Sequence, residues 1–259
     1  MTESTEFRIL VMDDDDAVSR KAAEAIEEYA RQRVKENGDF TLALAGGSTP
    51  KAVYAHLANA SLHGNMPWPE TRLFWGDERK VSPEHAYSNY KMVYESLLKN
   101  GPVPLENIFP IQTSLATAAE CADRYEKTLS EKITTKEDGF PVFDLILLGV
   151  GPDGHIASLF PGTPAPLEQS RAVTWCDPTA ANPNVNPPVE RISISAPVIL
   201  RAANVFVLAS GETKRDVLRK VLASGTTDAP PVARLLLQRK RTLSFFVDQA
   251  AFPKGIIQR

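Results

Sequence analysis

Residues 143–150 read FDLILLGV, and this run constrains the fold more than any other stretch of the chain. An extended segment with aliphatic side chains on both faces must be covered on both sides. Strands of that kind sit in parallel sheets with helices above and below. The rest of the chain repeats the theme. Strand-like runs are read at 7–12, 40–45, 72–77, 171–176, 191–195, 204–210 and 242–248. Helical patterns fall between them at 13–38, from Thr49 to about residue 60, at 88–100, at 116–133 and at 213–224. The first helix opens on four aspartates, favoured by the helix dipole, and stops at Gly38. Thr49 is placed to cap the second helix, with Pro50 at its first position. The β-α-β-α order predicts an α/β fold, a doubly wound, mainly parallel sheet flanked by helices. At 259 residues, a single α/β domain spanning 1–259 is expected.

Composition removes several function classes. The net charge of −3 and the absence of a long Lys/Arg run argue against a nucleic-acid partner. The densest basic cluster, QRKR at 238–241, reads as a solvated strand edge or loop. Apolar runs fall far short of the ~20 residues a bilayer helix needs, so no membrane partner is expected. The N-terminus MTESTEFRIL has neither a basic nor an apolar leader region. Cys121 and Cys176 are far apart with no C-x-x-C, which suits reduced thiols in the cytoplasm. No metal-ligand cluster such as H-E-x-x-H is present. The segment 177–190, rich in Pro and Asn, reads as a surface loop.

In a doubly wound sheet, ligands bind beyond the carboxyl ends of the strands. Three segments fall there. The first, GVGPDGH at 149–155, fits G-x-G-x-x-G letter for letter. A dinucleotide loop must open a long helix, but only HIASLF separates Gly154 from Pro161, so that reading fails. What remains is a glycine-rich turn presenting Asp153 and His155. The histidine is either a base near neutral pH or a residue that caps local backbone. The second segment is Gly46-Gly47-Ser48-Thr49, running into a helix N-terminus. Its N–H groups, two hydroxyls and the helix dipole suit an anion. It is neither a Walker A loop nor a nucleophile elbow. The third is Asp77-Glu78-Arg79, three charges that must pair or meet a ligand. Arg79 suits a bidentate grip on phosphate or carboxylate.

Five motifs, LAGGSTP, FWGDERKVSPEHAYSNY, DLILLGVGPDGHIASLFPG, the 190–214 segment and LSFFVD, resemble in that order the 6-phosphogluconolactonase family, across essentially the whole chain. That family is similar in fold to glucosamine-6-phosphate deaminases and ribose-5-phosphate isomerase. The deaminases match less well: they carry Asp-Glu-Tyr where this chain has GDER, and Phe-Asn-Glu-Pro where it has SLFPG.

The resemblance implies hydrolysis of 6-phospho-D-glucono-1,5-lactone to 6-phospho-D-gluconate, the second step of the oxidative pentose phosphate pathway, with no cofactor and no metal. It implies His155 as the base for water, with Asp153 or Asp77 as its partner, and Arg79 or backbone N–H groups of 149–155 facing the oxyanion. The alternatives are Asp153 on substrate hydroxyls, and Asp77 setting Arg79 or binding a hydroxyl. Gly46, Gly47, Ser48 and Thr49 would hold the phosphate, with Lys214, Arg191, Arg79 or Arg234 as its cations. Ser158 is read as a helix residue packed behind the loop rather than a nucleophile. The expected partner is a small-molecule sugar-phosphate lactone, bound by a monomer or weak homodimer.

Overall fold

The computed structural model describes residues 7–59, 64–99, 101–222 and 232–253. The expected N-terminal segment 1–6, the end of the second helix at residue 60, Asn100, and residues 223–224 of the helix expected at 213–224 lie outside them.

Seven strands make one parallel sheet. They are β1 (Phe7–Met12), β2 (Phe40–Leu44), β3 (Thr71–Trp75), β5 (Ile108–Phe109), β8 (Leu145–Leu148), β11 (Asn204–Ala209) and β12 (Thr242–Asp248). Their order is β1-β12-β11-β8-β2-β3-β5, and every neighbouring pair is parallel. From β2 the chain steps outward through β3 to β5. From β8 it steps the other way through β11 to β12. The order therefore reverses between β2 and β8, which is the switch point where such sheets bind ligands.

Helix α1 (Asp15–Asn37) packs across β1, β2, β11 and β12 and against α2 (Ser48–Leu57). Asp14 caps α1, its Oδ1 accepting from the Ala17 N–H at 2.8 Å. Gly38, at φ +89, closes it with an N–H bond to the Val34 carbonyl, a conformation that costs glycine little. Helix α3 (Asn89–Val93) continues into a π-helical turn at Tyr94–Leu98, and α4 (Ala118–Lys132) starts from a Thr117–Glu120 capping box. Helices α5 (Ala196–Arg201) and α6 (Arg215–Leu222) follow later. Strands β6 (Lys136–Glu137) and β7 (Phe140–Pro141) form a short hairpin.

Three expectations change. The strand read at 72–77 ends at Trp75, and residues 77–79 form a separate strand, β4 (Asp77–Arg79). The runs at 171–176 and 191–195 become β9 (Val173–Cys176) and β10 (Arg191–Ile194), which join β4 in a second, antiparallel sheet. Gly76 is the pivot: its N–H bonds the Leu44 carbonyl and its carbonyl accepts from Ile194. The QRKR cluster is not simply a solvated edge. Arg239 is buried, and its guanidinium serves the carbonyls of Ile199, Leu200, Ala202 and Thr242. Burial and the nearby Arg241 push its pKa down to about 10.

Two buried tyrosines tie the strand ends that face the switch point. The Tyr54 hydroxyl accepts from the Ala45 N–H and donates to the Ala45 carbonyl, at 2.8 and 2.9 Å. The Tyr125 hydroxyl does the same for Trp75, at 2.8 and 2.9 Å. Each supplies backbone bonds in place of the ladder where the strand stops, at Ala45 after β2 and at Trp75 at the end of β3. Burial raises both phenols far above their ordinary range, so they stay protonated donors.

Candidate active site

The loops after β2, β3, β8 and β11 enclose a cleft of about 190 Å³ at the switch point. Of the residues singled out from sequence, Gly46, Gly47, Ser48, Thr49, Asp77, Arg79 and Lys214 line it together.

On the β2 side, the helix begins at Ser48, two residues before the expected first position, Pro50. Gly47, at φ +109, is the N-cap of α2 and contributes no side-chain cap bond. The missing cap leaves first-turn N–H groups without a side-chain acceptor, the arrangement that takes anions. Thr49 does not cap the helix. Its hydroxyl donates to Asp15 Oδ1 at 3.2 Å, tying the loop to α1. Gly46 is required for space, because a Cβ there would overlap the Asn89 amide.

On the β3 side, strand alternation separates the three charges. Glu78 points away from the cleft. Its buried carboxylate accepts from the N–H groups of Arg79, Asn89 and Tyr90 and from the Ser88 hydroxyl, fixing the start of α3. Burial raises its pKa, against the pull of those donors. Asp77 and Arg79 share the other face. Asp77 Oδ2 accepts from Ser158 at 2.7 Å, and Asn89 Nδ2 donates to the Asp77 carbonyl at 2.9 Å. Arg79 donates from Nη1 to the Tyr87 carbonyl at 2.9 Å, and its buried Nε has no partner among the described residues.

On the β8 side, the glycine-rich turn folds on itself. Gly151 N–H bonds the His155 carbonyl at 2.8 Å and Gly154 N–H bonds the Gly151 carbonyl at 2.9 Å. His155 Nδ1 lies 2.6 Å from Asp153 Oδ1, and its ring packs on Phe160 with centroids 4.1 Å apart. Burial alone would raise the Asp153 carboxyl. The hydrogen bond and charge of His155 outweigh it and hold the group below its ordinary value. An ionised carboxylate only accepts, so Nδ1 carries the proton and the lone pair of a neutral ring sits on Nε2. Among the described residues Nε2 has no partner. The pair is not part of the cleft wall itself. It is joined to the wall through Val150 and Lys214: Lys214 Nζ donates to the Val150 carbonyl at 2.8 Å, and the charge of Asp153 bears on it. Burial lowers the Lys214 pKa, with Asp153 acting in the opposite sense.

Arg191 is placed differently. It is buried, and Nη1 and Nη2 donate to the carbonyls of Val189 and Pro187 at 2.6 and 2.7 Å. It faces Arg79 across the β4–β10 register but does not line the cleft. Burial, then the charge of Arg79, brings its pKa down to about 10. Arg234 belongs to the helical turn Val232–Gln238, which docks on the glycine-rich turn through an Ala233 N–H bond to the Gly154 carbonyl at 2.9 Å. Ser158 lies in a tight turn closed by an Ile156–Leu159 bridge, not in a helix. The sequence reading passed over Asn89, Ser210 and the docking of 232–238; Ser210 lines the cleft with a buried hydroxyl that has no partner among the described residues. Among the described residues, no group of three or more His, Cys, Asp or Glu side chains is placed to hold a metal ion. No helix among them is long and apolar enough to cross a membrane.

The family model described as glucosamine-6-phosphate isomerases/6-phosphogluconolactonase matches residues 13–244, which contain every residue of the cleft. The chain belongs to this family. A relative named 6-phosphogluconolactonase from Synechocystis sp. is 38% identical over 218 residues, spanning 84% of this chain and 85% of that protein. A rice relative (Oryza sativa subsp. indica), named probable 6-phosphogluconolactonase 3, chloroplastic, is 33% identical over 251 residues, spanning 94% of this chain and 74% of its own. Among solved structures, the 6-phosphogluconolactonase from Trypanosoma brucei superposes with a TM-score of 0.85 at 34% identity, covering 96% and 98% of the two chains. A monomeric glucosamine-6-phosphate deaminase superposes with a TM-score of 0.76 at 21% identity over 94% and 98% of the chains, a likeness of fold.

Proposed function

We propose that the protein is a 6-phosphogluconolactonase, hydrolysing 6-phospho-D-glucono-1,5-lactone to 6-phospho-D-gluconate in the oxidative pentose phosphate pathway. The observation that carries this reading is the Asp153–His155 pair joined through Lys214 to a cleft that is also lined by the uncapped start of α2. A sugar phosphate needs both ends of such a site. The phosphate rests on the Gly46–Thr49 loop and Lys214, and its binding positions C1 for reaction. Lys214 is held half-buried with a lowered pKa, so an incoming dianion meets a cation that gains by pairing.

His155 Nε2 takes a proton from water as the oxygen attacks C1. The carbonyl oxygen becomes an oxyanion, met by Arg79 or by N–H groups of the 149–155 turn. When the C1–O5 bond breaks, the imidazolium returns the proton to the ring oxygen, giving 6-phosphogluconate after the new acid ionises. Asp153 keeps the imidazole in the tautomer this requires.

The test is lactone decay, with substrate made fresh from glucose 6-phosphate, measured against the spontaneous rate for wild type and His155→Ala. Acceleration by wild type and a loss of about 10²-fold or more in the variant support the reading. A wild type that leaves the spontaneous rate unchanged while binding 6-phosphogluconate would make the protein a sugar-phosphate sensor. A fully active His155→Ala would retain the reaction and remove its base.

A further inference from the structure

We infer that Ser158 is a positioning residue for the lactonase site, fixing the Asp77 carboxylate so that one oxygen faces the cleft; this rests on the reading above. Ser158 is 1% exposed and absent from the cleft wall, whereas its neighbour Ala157 lines it. Substrate and water therefore do not reach the hydroxyl, and a nucleophilic role is ruled out. Every polar group of Ser158 is committed. Its hydroxyl donates to Asp77 Oδ2 at 2.7 Å, its N–H donates to Ser193 Oγ at 3.1 Å, and its carbonyl accepts from Cys176 Sγ at 3.4 Å. Ser193 is on β10 and Cys176 on β9, so the small sheet holds the serine from behind.

Asp77 is 8% exposed and lines the cleft. No hydrogen bond to its Oδ1 is formed among the described residues, and the residue keeps some exposure to the cleft. Ser158 thus takes one oxygen and leaves the other free to accept from a substrate hydroxyl. The same bond joins the loop bearing His155 to the strand bearing Arg79. Without it the carboxylate is free to rotate or to turn onto Arg79, and both halves of the site lose their spacing.

The experiment is a double-mutant cycle in the full chain with Ser158→Ala, Asp77→Asn and the pair, read as kcat and KM for lactone hydrolysis alongside the thermal midpoint. Ser158→Ala is expected to lose about 10-fold in kcat/KM, the scale of one hydrogen bond to a charged group, with the double variant no worse than Asp77→Asn alone. Losses that multiply, a Ser158→Ala enzyme as active as wild type, or an unimpaired Asp77→Asn would each overturn the assignment. A serine that only supports the fold lowers the midpoint and leaves the cycle additive. Should Ser158→Ala not fold, Ser158→Cys, a weaker donor, carries the same cycle. Should wild type not hydrolyse the lactone, the functional reading fails, and the cycle is read as 6-phosphogluconate affinity instead. Coupling there upholds the positioning role, and additivity or absence of binding overturns it.

Discussion

Gly151 has no room for a side chain, because a Cβ would overlap the His155 ring and crowd Asp153 Oδ1. The imidazole occupies the space the glycine leaves, so the turn and the base are one unit. Gly151→Ala should displace the ring and lower lactonase kcat by about 10²-fold, the worth of a placed base, with the far-UV circular dichroism unchanged. The Asp153–His155 bond also has a signature in stability. The Asp153 carboxyl is held below its ordinary value, so its contribution is complete above the unfolded carboxylate value and disappears as pH falls through the lowered one. Thermal midpoints of wild type and Asp153→Asn should therefore differ at neutral pH and converge below about pH 4. A constant gap across that range would remove the pairing as a source of stability. At this scale the sequence was informative about which residues carry charge and glycine, and less so about their orientation. His155 and Asp153 are two apart and meet within one turn, a local geometry. Arg191 and Thr49 face partners at Pro187, Val189 and Asp15 that no motif announces.

At the scale of elements, the parts with local causes were legible. The long helix opens at Asp14 and ends at Gly38, within two residues of the reading, because cap and stop are written in adjacent residues. Asp14→Ala should cost about 1 kcal/mol of stability by urea unfolding, with lactonase activity kept within about 2-fold of wild type. The elements that differed depend on partners far away in sequence. The strand reading runs on through Trp75-Gly76-Asp77, but Gly76 bonds Leu44 of one sheet and Ile194 of the other, so the strand divides there. RISIS alternates like any half-buried strand, and only its pairing with Asp77–Arg79 on one side and Val173–Cys176 on the other shows that it belongs to the smaller sheet. QRKR looked solvated because its own four side chains are polar or charged. Arg239 is buried for a reason visible only in three dimensions: carbonyls around the end of α5 and the start of β12 need donors.

For the whole molecule, alternation alone yielded the class, and the unbroken FDLILLGV run marked a central strand; β8 stands fourth of seven. The strand order was not legible, since it depends on which faces the helices cover. One core cluster draws side chains from β1 through β12, which supports a single domain over 1–259 as we propose. Denaturation followed by circular dichroism and by tryptophan fluorescence should then give coincident single transitions; two separated midpoints would divide the chain into units.

The pairing of β1 with β12 sets a schedule as well as a shape. Phe7–Met12 lies at the sheet edge, and its neighbour is Leu243–Asp248. A ribosome adds about 5–20 residues per second, so roughly 10–50 s separate the emergence of the two strands. Throughout that interval β1 has no strand to pair with, and β11, once made, has only one of its two until β12 follows. The nascent chain therefore exposes apolar strand edges until its last large element appears, which is when chaperones that shield such edges have most to hold.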